Sequence, residues 1–243
     1  MTGLQSNSIQ QNNTPSLPNF GRHAGRIGPT SIDGRIHIIG CGATGSYVAD
    51  GIARMGAHKL DLWDADIVEP HNLANQRYDA YHVGMPKVEA LRDVILRFNP
   101  AADVTIHNEF FTENSKLEEV GPVILTTDSM HSRKAIMQAV ANNLTVDHVF
   151  ETRLTFSSWE ACIVDNFDPD SVTNFMAGLL SDDEVPEGPC NLKICPTNVM
   201  QCASFVIHQL CEMYVSRVNS HEWTSPRHQI TEMSPKLTTM TIA

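Results

Sequence analysis

The stretch Arg35-Ile-His-Ile-Ile-Gly40-Cys-Gly-Ala-Thr-Gly45 decides the fold. Its first five residues read as a buried strand, and the helical pattern from Thr44 to Met55 follows the glycines directly. Each glycine has a physical job. Gly40 permits a tight turn, Gly42 lets the backbone approach a phosphate, and Gly45 lets helix and strand pack closely. The helix start supplies free N–H groups and the positive end of a dipole. Lys59-Leu-Asp-Leu-Trp-Asp64 then reads as a second strand, closed by a carboxylate at about the spacing needed to hold ribose hydroxyls. On these residues alone the ligand is an adenine nucleotide or a dinucleotide, and ATP and NAD are not separated.

Outward from this unit the alternation continues. A loop runs to Gly84, and a helix spans Pro86 to Phe98 before Asn99-Pro100 ends it. Asp103–His107, Pro122–Thr126 and His148–Thr152 read as strands, with a helix from Ser132 to Asn143 between the last two. This predicts an α/β fold, a Rossmann-like doubly wound sheet that is mostly parallel. Trp159–Val164 reads as a strand of antiparallel type, and short strand candidates lie at Gln229-Ile230 and Thr238–Ile242. Between them, Asp165–Pro189 reads as an acidic surface loop or a short helical insertion, and Asn198–Val218 as a packed apolar helix. Residues 1–33 are rich in Gln, Asn, Ser and Pro, and are expected to form a mobile arm ahead of one domain over residues 34–243.

Composition narrows the partners. A net charge of −11 argues against a broad basic face for nucleic acid. No apolar run approaches the roughly 18 residues of a membrane span. The start of the chain lacks a signal pattern, so a cytoplasmic location with reduced cysteines is expected.

The residues after Asp64 separate the two ligands. They are Asp64-Ala-Asp66-Ile-Val68, then Asn72-Leu-Ala-Asn75-Gln76-Arg77, then Gly84-Met-Pro-Lys87, with Asp128 just past the fourth strand and Arg133 soon after. In order and spacing this series resembles the ThiF/MoeB family, the adenylating enzymes of ubiquitin-like and sulfur-carrier proteins. The resemblance covers about residues 34–217. It implies that ATP is bound by Gly40, Gly42, Gly45, Asp64, Asn72, Gln76 and Lys87. It also implies that Asp128 helps hold Mg²⁺ on the phosphates, and that Lys87 offsets the charge built up when a carboxylate attacks the α-phosphate. One position departs from the pattern: Asn75 stands where the family has Arg. Arg77 is the candidate replacement, with Arg22 and Arg26 as candidates for a further family Arg donated near the N-terminus.

The same resemblance places a nucleophilic cysteine ahead of the long apolar helix, which makes Cys195 the candidate and Cys190 the second choice. A thiol at a helix start tends toward thiolate. Cys202 and Cys211 fall within the apolar helix and read as core. The chain has six cysteines but no Cys-x-x-Cys pair, so no structural zinc is expected, and the eleven histidines show no ligand spacing.

The expected function is therefore ATP- and Mg²⁺-dependent adenylation of the C-terminal carboxylate of a small β-grasp protein with a Gly-Gly tail, by a homodimeric enzyme. A thioester or sulfur-transfer step at Cys195 would follow. The alternatives are a degenerate nucleotide-binding module, marked by Asn75, and an NAD-dependent oxidoreductase.

Overall fold

A computed structural model describes residues 17–141, 143–179, 195–224, 226–232 and 238–242. Its centre is an eight-stranded sheet of order β3-β2-β1-β4-β5-β6-β7-β8. Strands β1 (Ile36–Ile39), β2 (Lys59–Trp63), β3 (Asp103–His107), β4 (Val123–Leu125) and β5 (His148–Leu154) are parallel. Every residue of β1 and β4 is buried, as expected where helices cover both faces of a parallel sheet. β6 (Ser158–Asp165) follows β5 after a turn too short for a crossover helix, so the two pair antiparallel. β7 (His228–Glu232) and β8 (Thr238–Ile242) extend that antiparallel edge.

The pleat sorts the side chains of each strand between two cores. Ile36, Ile38, Leu60, Leu62, Ile124 and Phe150 pack on the face covered by α1 (Ala43–Met55), α2 (Lys87–Phe98) and α5 (Pro196–Asn219). Ile39, Trp63, Val123, Leu125, Val149 and Val164 pack on the other face, under α3 (Met130–Val140) and α4 (Pro169–Ala177). Each fully buried Ile or Leu contributes roughly 1.5–3 kcal/mol of transfer free energy. α1 and α5 pack against each other on this face. A Cβ on Gly51 would meet Ile207 Cδ1 at 2.3 Å, so glycine there lets the two helices close up.

A buried polar cluster ties the opposite ends of β1, β2 and β3. Arg35 donates to Asp103 at 2.6 Å, to Glu119 at 2.8 Å and to the carbonyl of Leu60 at 3.2 Å. His37, with no exposed surface, bonds Asp61 through Nδ1 and the Glu119 carbonyl oxygen through Nε2, both at 3.0 Å.

Two expectations are revised, and one left open between loop and helix is resolved in its described part. The arm expected over residues 1–33 is packed onto the domain in its described part. Residues 20–27 form a hydrogen-bonded turn, and Ile27 and Ile32 are both 1% exposed within the core. Two isolated isoleucines carry no periodicity, so only their burial reveals them. α3 starts two residues earlier than expected because Ser129 caps it, its Oγ accepting from Ser132 N at 3.0 Å. In the acidic segment, Asp168 caps α4 and Pro169 opens it, while residues 180–194, including Cys190, lie outside the described residues.

Candidate nucleotide site

Strands β1 and β4 are neighbours, yet the chain visits β2 and β3 between them. Their carboxyl ends therefore diverge at a topological switch point, where open α/β sheets bind ligands. Two loops meet there. Gly40 has φ +98°, and a Cβ on it would strike Thr126 backbone at 2.9 Å. Thr126 Oγ1 donates to the Gly40 carbonyl at 2.7 Å, so the end of β4 fixes the turn after β1. A Cβ on Gly45 would lie 1.9 Å from Gly40 O, whereas one on Gly42 would meet nothing within 4 Å. The three glycines thus have separate roles: turn, open cradle and close packing. No side chain caps α1 at Gly42, which leaves its first-turn N–H groups for an anion.

Asp64 stands beside this loop. Its Oδ2 accepts from Cys41 N at 2.7 Å and its Oδ1 from Asp66 N at 2.9 Å. Burial raises its pKa, against the Lys87 charge and the two backbone donors, which lower it. The Lys87 ammonium donates to Asp66 Oδ2 at 2.7 Å and lies 4.0 Å from Asp64 Oδ1. Lys87 is placed by its own backbone, whose N–H bonds Asp66 O at 2.8 Å as α2 begins. Tyr78, which the sequence reading did not single out, locks the two halves together. Its buried hydroxyl donates to the Cys41 carbonyl at 2.5 Å and is 3.4 Å from the Lys87 carbonyl. Burial pushes that hydroxyl's pKa well up, so it remains a donor.

Asn72 and Gln76 form the next wall. Asn72 is buried in a 3-10 turn over Pro70–Ala74, its Oδ1 accepting from Glu69 N at 2.9 Å. Gln76 N bonds the Asn72 carbonyl at 2.9 Å. Asn75 Oδ1, Gln76 Oε1 and Thr127 Oγ1 are three of the buried polar atoms that have no hydrogen-bond partner among the described residues. Unsatisfied polar atoms beside an open glycine cradle fit a polar ligand, since burying them unpaired costs about 1–3 kcal/mol each. Arg77 is engaged elsewhere. Its N–H bonds Ser46 Oγ at 3.0 Å, but its Nε donates to Asp50 Oδ2 at 3.0 Å, one turn further along α1.

Asp128 is exposed just beyond β4, in the turn before α3. A single exposed carboxylate suits Mg²⁺, which keeps several waters and takes few protein ligands. Arg133 is buried behind it. It donates to the carbonyls of Thr127 and Thr152, the latter at 2.7 Å, and pairs with the fully buried Glu151. Arg133 therefore holds the Thr127 backbone in place.

Cys195 is the N-cap residue of α5, with Sγ 2.9 Å from Thr197 Oγ1. The hydrogen bond from Thr197 lowers its thiol pKa. Seven residues further along the helix, Cys202 is a buried thiol whose pKa burial raises to about 12. From residue 202 back to residue 195 is about 10 Å of helix axis. Arg26 pairs with Glu212 on α5, and Arg22 is exposed.

A doubly wound sheet with a glycine cradle at its switch point, a carboxylate on the loop backbone and a buried lysine defines a nucleotide-binding α/β protein. The ThiF family model matches residues 31–240, and the chain belongs to that family. Ubiquitin-like modifier-activating enzyme 5 of Caenorhabditis briggsae is 38% identical over 76 residues, 31% of this chain and 18% of that protein. The tRNA threonylcarbamoyladenosine dehydratase of Bacillus subtilis (strain 168) is 30% identical over 104 residues, 41% of each chain. The chain spans less than half the length of these relatives. Among solved structures, E. coli MccB with AMPCPP and MccA superposes at TM-score 0.64 and 14% identity, over 86% of this chain and 63% of MccB. The same protein has been solved with ATP. No helix among the described residues is long and apolar enough to cross a membrane.

Proposed function

We propose that the chain binds ATP at the β1–β4 switch point and adenylates the C-terminal carboxylate of a small ubiquitin-like or sulfur-carrier protein, releasing pyrophosphate. The observation that carries this reading is the Lys87 ammonium, held against Asp66 and 4.0 Å from Asp64 beside the open cradle at Gly42. A hydride-transfer site has no need of a buried cation there, whereas charge building on phosphate does. Family membership and MccB's complexes with ATP and with MccA support the same reading.

In this mechanism the α1 N-terminus and Lys87 receive the phosphates, and Asp64 receives the ribose hydroxyls. Asp128 would hold Mg²⁺ on the phosphates, and the ion would supply positive charge there. No side-chain nucleophile is required for that step; position and charge suffice. Cys195 then takes the acyl group, its thiolate displacing AMP. The chain acts as a homodimer in the cytoplasm, and its carrier ends in Gly-Gly, a tail narrow enough to thread the site.

The test is ATP–pyrophosphate exchange with Mg²⁺ and a β-grasp carrier, for wild type and Asp128→Ala. Exchange that needs both the carrier and Asp128 supports adenylation. One observation favours a second reading, a nucleotide-binding module without turnover: Asn75 supplies no charge and Arg77 is committed to Asp50. ATP binding with no exchange for any carrier would select that reading.

A further inference from the structure

Sheet register builds a second polar centre on the face covered by α4. Ile39, Leu125, Glu151, Cys162 and His228 are successive partners across β1, β4, β5, β6 and β7. Cys162 therefore lies level with the end of β1, three strand spacings or about 14 Å from it. Glu160, two residues along β6, points to the same face. The donor atoms of Glu160, Cys162 and His228 all lie within 4.8 Å of one another. All three side chains line one cavity of about 370 Å³, closed on another side by Ser171, Asn174 and Phe175 of α4.

We propose that Glu160, Cys162 and His228 bind a divalent transition ion of the zinc class. Carboxylate, thiolate and imidazole are the donor types such ions combine, and three protein donors leave a position open to the cavity for water or a small ligand. On binding, the Cys162 S–H bond breaks, its proton leaves to solvent, and sulfur bonds the ion. His228 gives a neutral ring nitrogen and Glu160 one carboxylate oxygen, with no change of oxidation state. The ion replaces the present His228–Glu160 contact. Arg227 also lines the cavity, 3.9 Å from Asp168 Oδ2; Arg153, 3.7 Å from Glu160 Oε2, and Arg133 are the other two cations facing the site. Glu151 pairs with Arg153 and Arg133, which reduces their repulsion of the ion. Sequence spacing hides this set because residue 228 is far along the chain from 160 and 162; only the β6–β7 register joins them. The site stands apart from the nucleotide loop and does not depend on adenylation.

The experiment is a Co²⁺ titration of the chelator-stripped full chain, followed by thiolate-to-cobalt charge-transfer absorption in the near ultraviolet. One equivalent should produce the band. Cys162→Ser, nearly isosteric, should abolish it, and Cys195→Ser should keep it. Glu160→Gln and His228→Ala should each weaken Co²⁺ binding by at least about tenfold with an unchanged circular dichroism spectrum, since even outer-shell changes cost that much. No band in the wild-type protein, a band that survives Cys162→Ser, or unchanged affinity in the other two variants would overturn the site.

Discussion

The Lys87 ammonium lies 4.0 Å from Asp64, and Asp64 accepts the N–H of Cys41 inside the glycine loop. The cation, the carboxylate and the phosphate cradle are thus one mechanical unit, clamped by Tyr78. Lys87→Met should weaken ATP binding by about tenfold or more, the loss expected for a charge-assisted contact of roughly 1.5–3 kcal/mol. Lys87→Arg should not restore it, because a planar fork does not replace a compact ammonium at a buried site. Calorimetric titration with ATP checks both; undiminished affinity in Lys87→Met would remove the lysine from the site.

Arg77 tests whether its guanidinium takes over from the missing family arginine. Its Nε bonds Asp50, and its side chain is 35% exposed. Arg77→Ala should cost at most about 1 kcal/mol of stability, as for other part-exposed ion pairs. Pyrophosphate exchange should change by less than about threefold, because such a pair carries little energy. A loss of a hundredfold or more in exchange would mean that Arg77 leaves Asp50 during the reaction.

Thiol reactivity should separate Cys195 from the core cysteines. Its hydrogen bond with Thr197 lowers its pKa below the ordinary 9.0. Burial raises Cys162 and Cys211 to about 11 and Cys202 to about 12. With iodoacetamide near neutral pH, mass spectrometry of timed digests should find Cys195 alkylated ahead of Cys41, Cys162, Cys202 and Cys211. Its rate should rise with pH with a midpoint below 9.0. Labelling of Cys162 at the same rate would contradict the buried position of that thiol.

Acid stability should reflect Asp61. Burial raises its pKa, but the hydrogen bond from His37 and the charges of His37 and Arg35 outweigh this and hold it below 3.8. A carboxyl with a depressed folded-state pKa stabilises the fold above its unfolded value, and that stability is lost as pH falls through the folded value. Asp61→Asn should therefore cost roughly 1–3 kcal/mol at neutral pH, the range for a buried group left unsatisfied. The gap to wild type should stay constant down to about pH 4 and close below it. Urea melts at a series of pH values measure this; a gap that widens in acid would show the assigned direction of the shift to be wrong.

The sequence by itself determined the local units. Glycines at positions 40, 42 and 45 between an apolar run and a helical pattern require a strand, a tight turn and a helix, whatever surrounds them. The ordered series Asp64, Asn72, Lys87 and Asp128 marks the loops that carry charge, and the alternation of strand and helix marks a parallel sheet. Tertiary structure alone decided which distant groups meet. It set β4 beside β1, so that Thr126 closes the Gly40 turn. It buried Ile27 and Ile32, turned Arg77 to Asp50, and brought His228 level with Cys162. The reason is one of range. Backbone propensity and hydrophobic period act over a few residues and can be read along the chain. Strand order, register and side-chain partner choice depend on packing between segments far apart in sequence, which no single segment encodes.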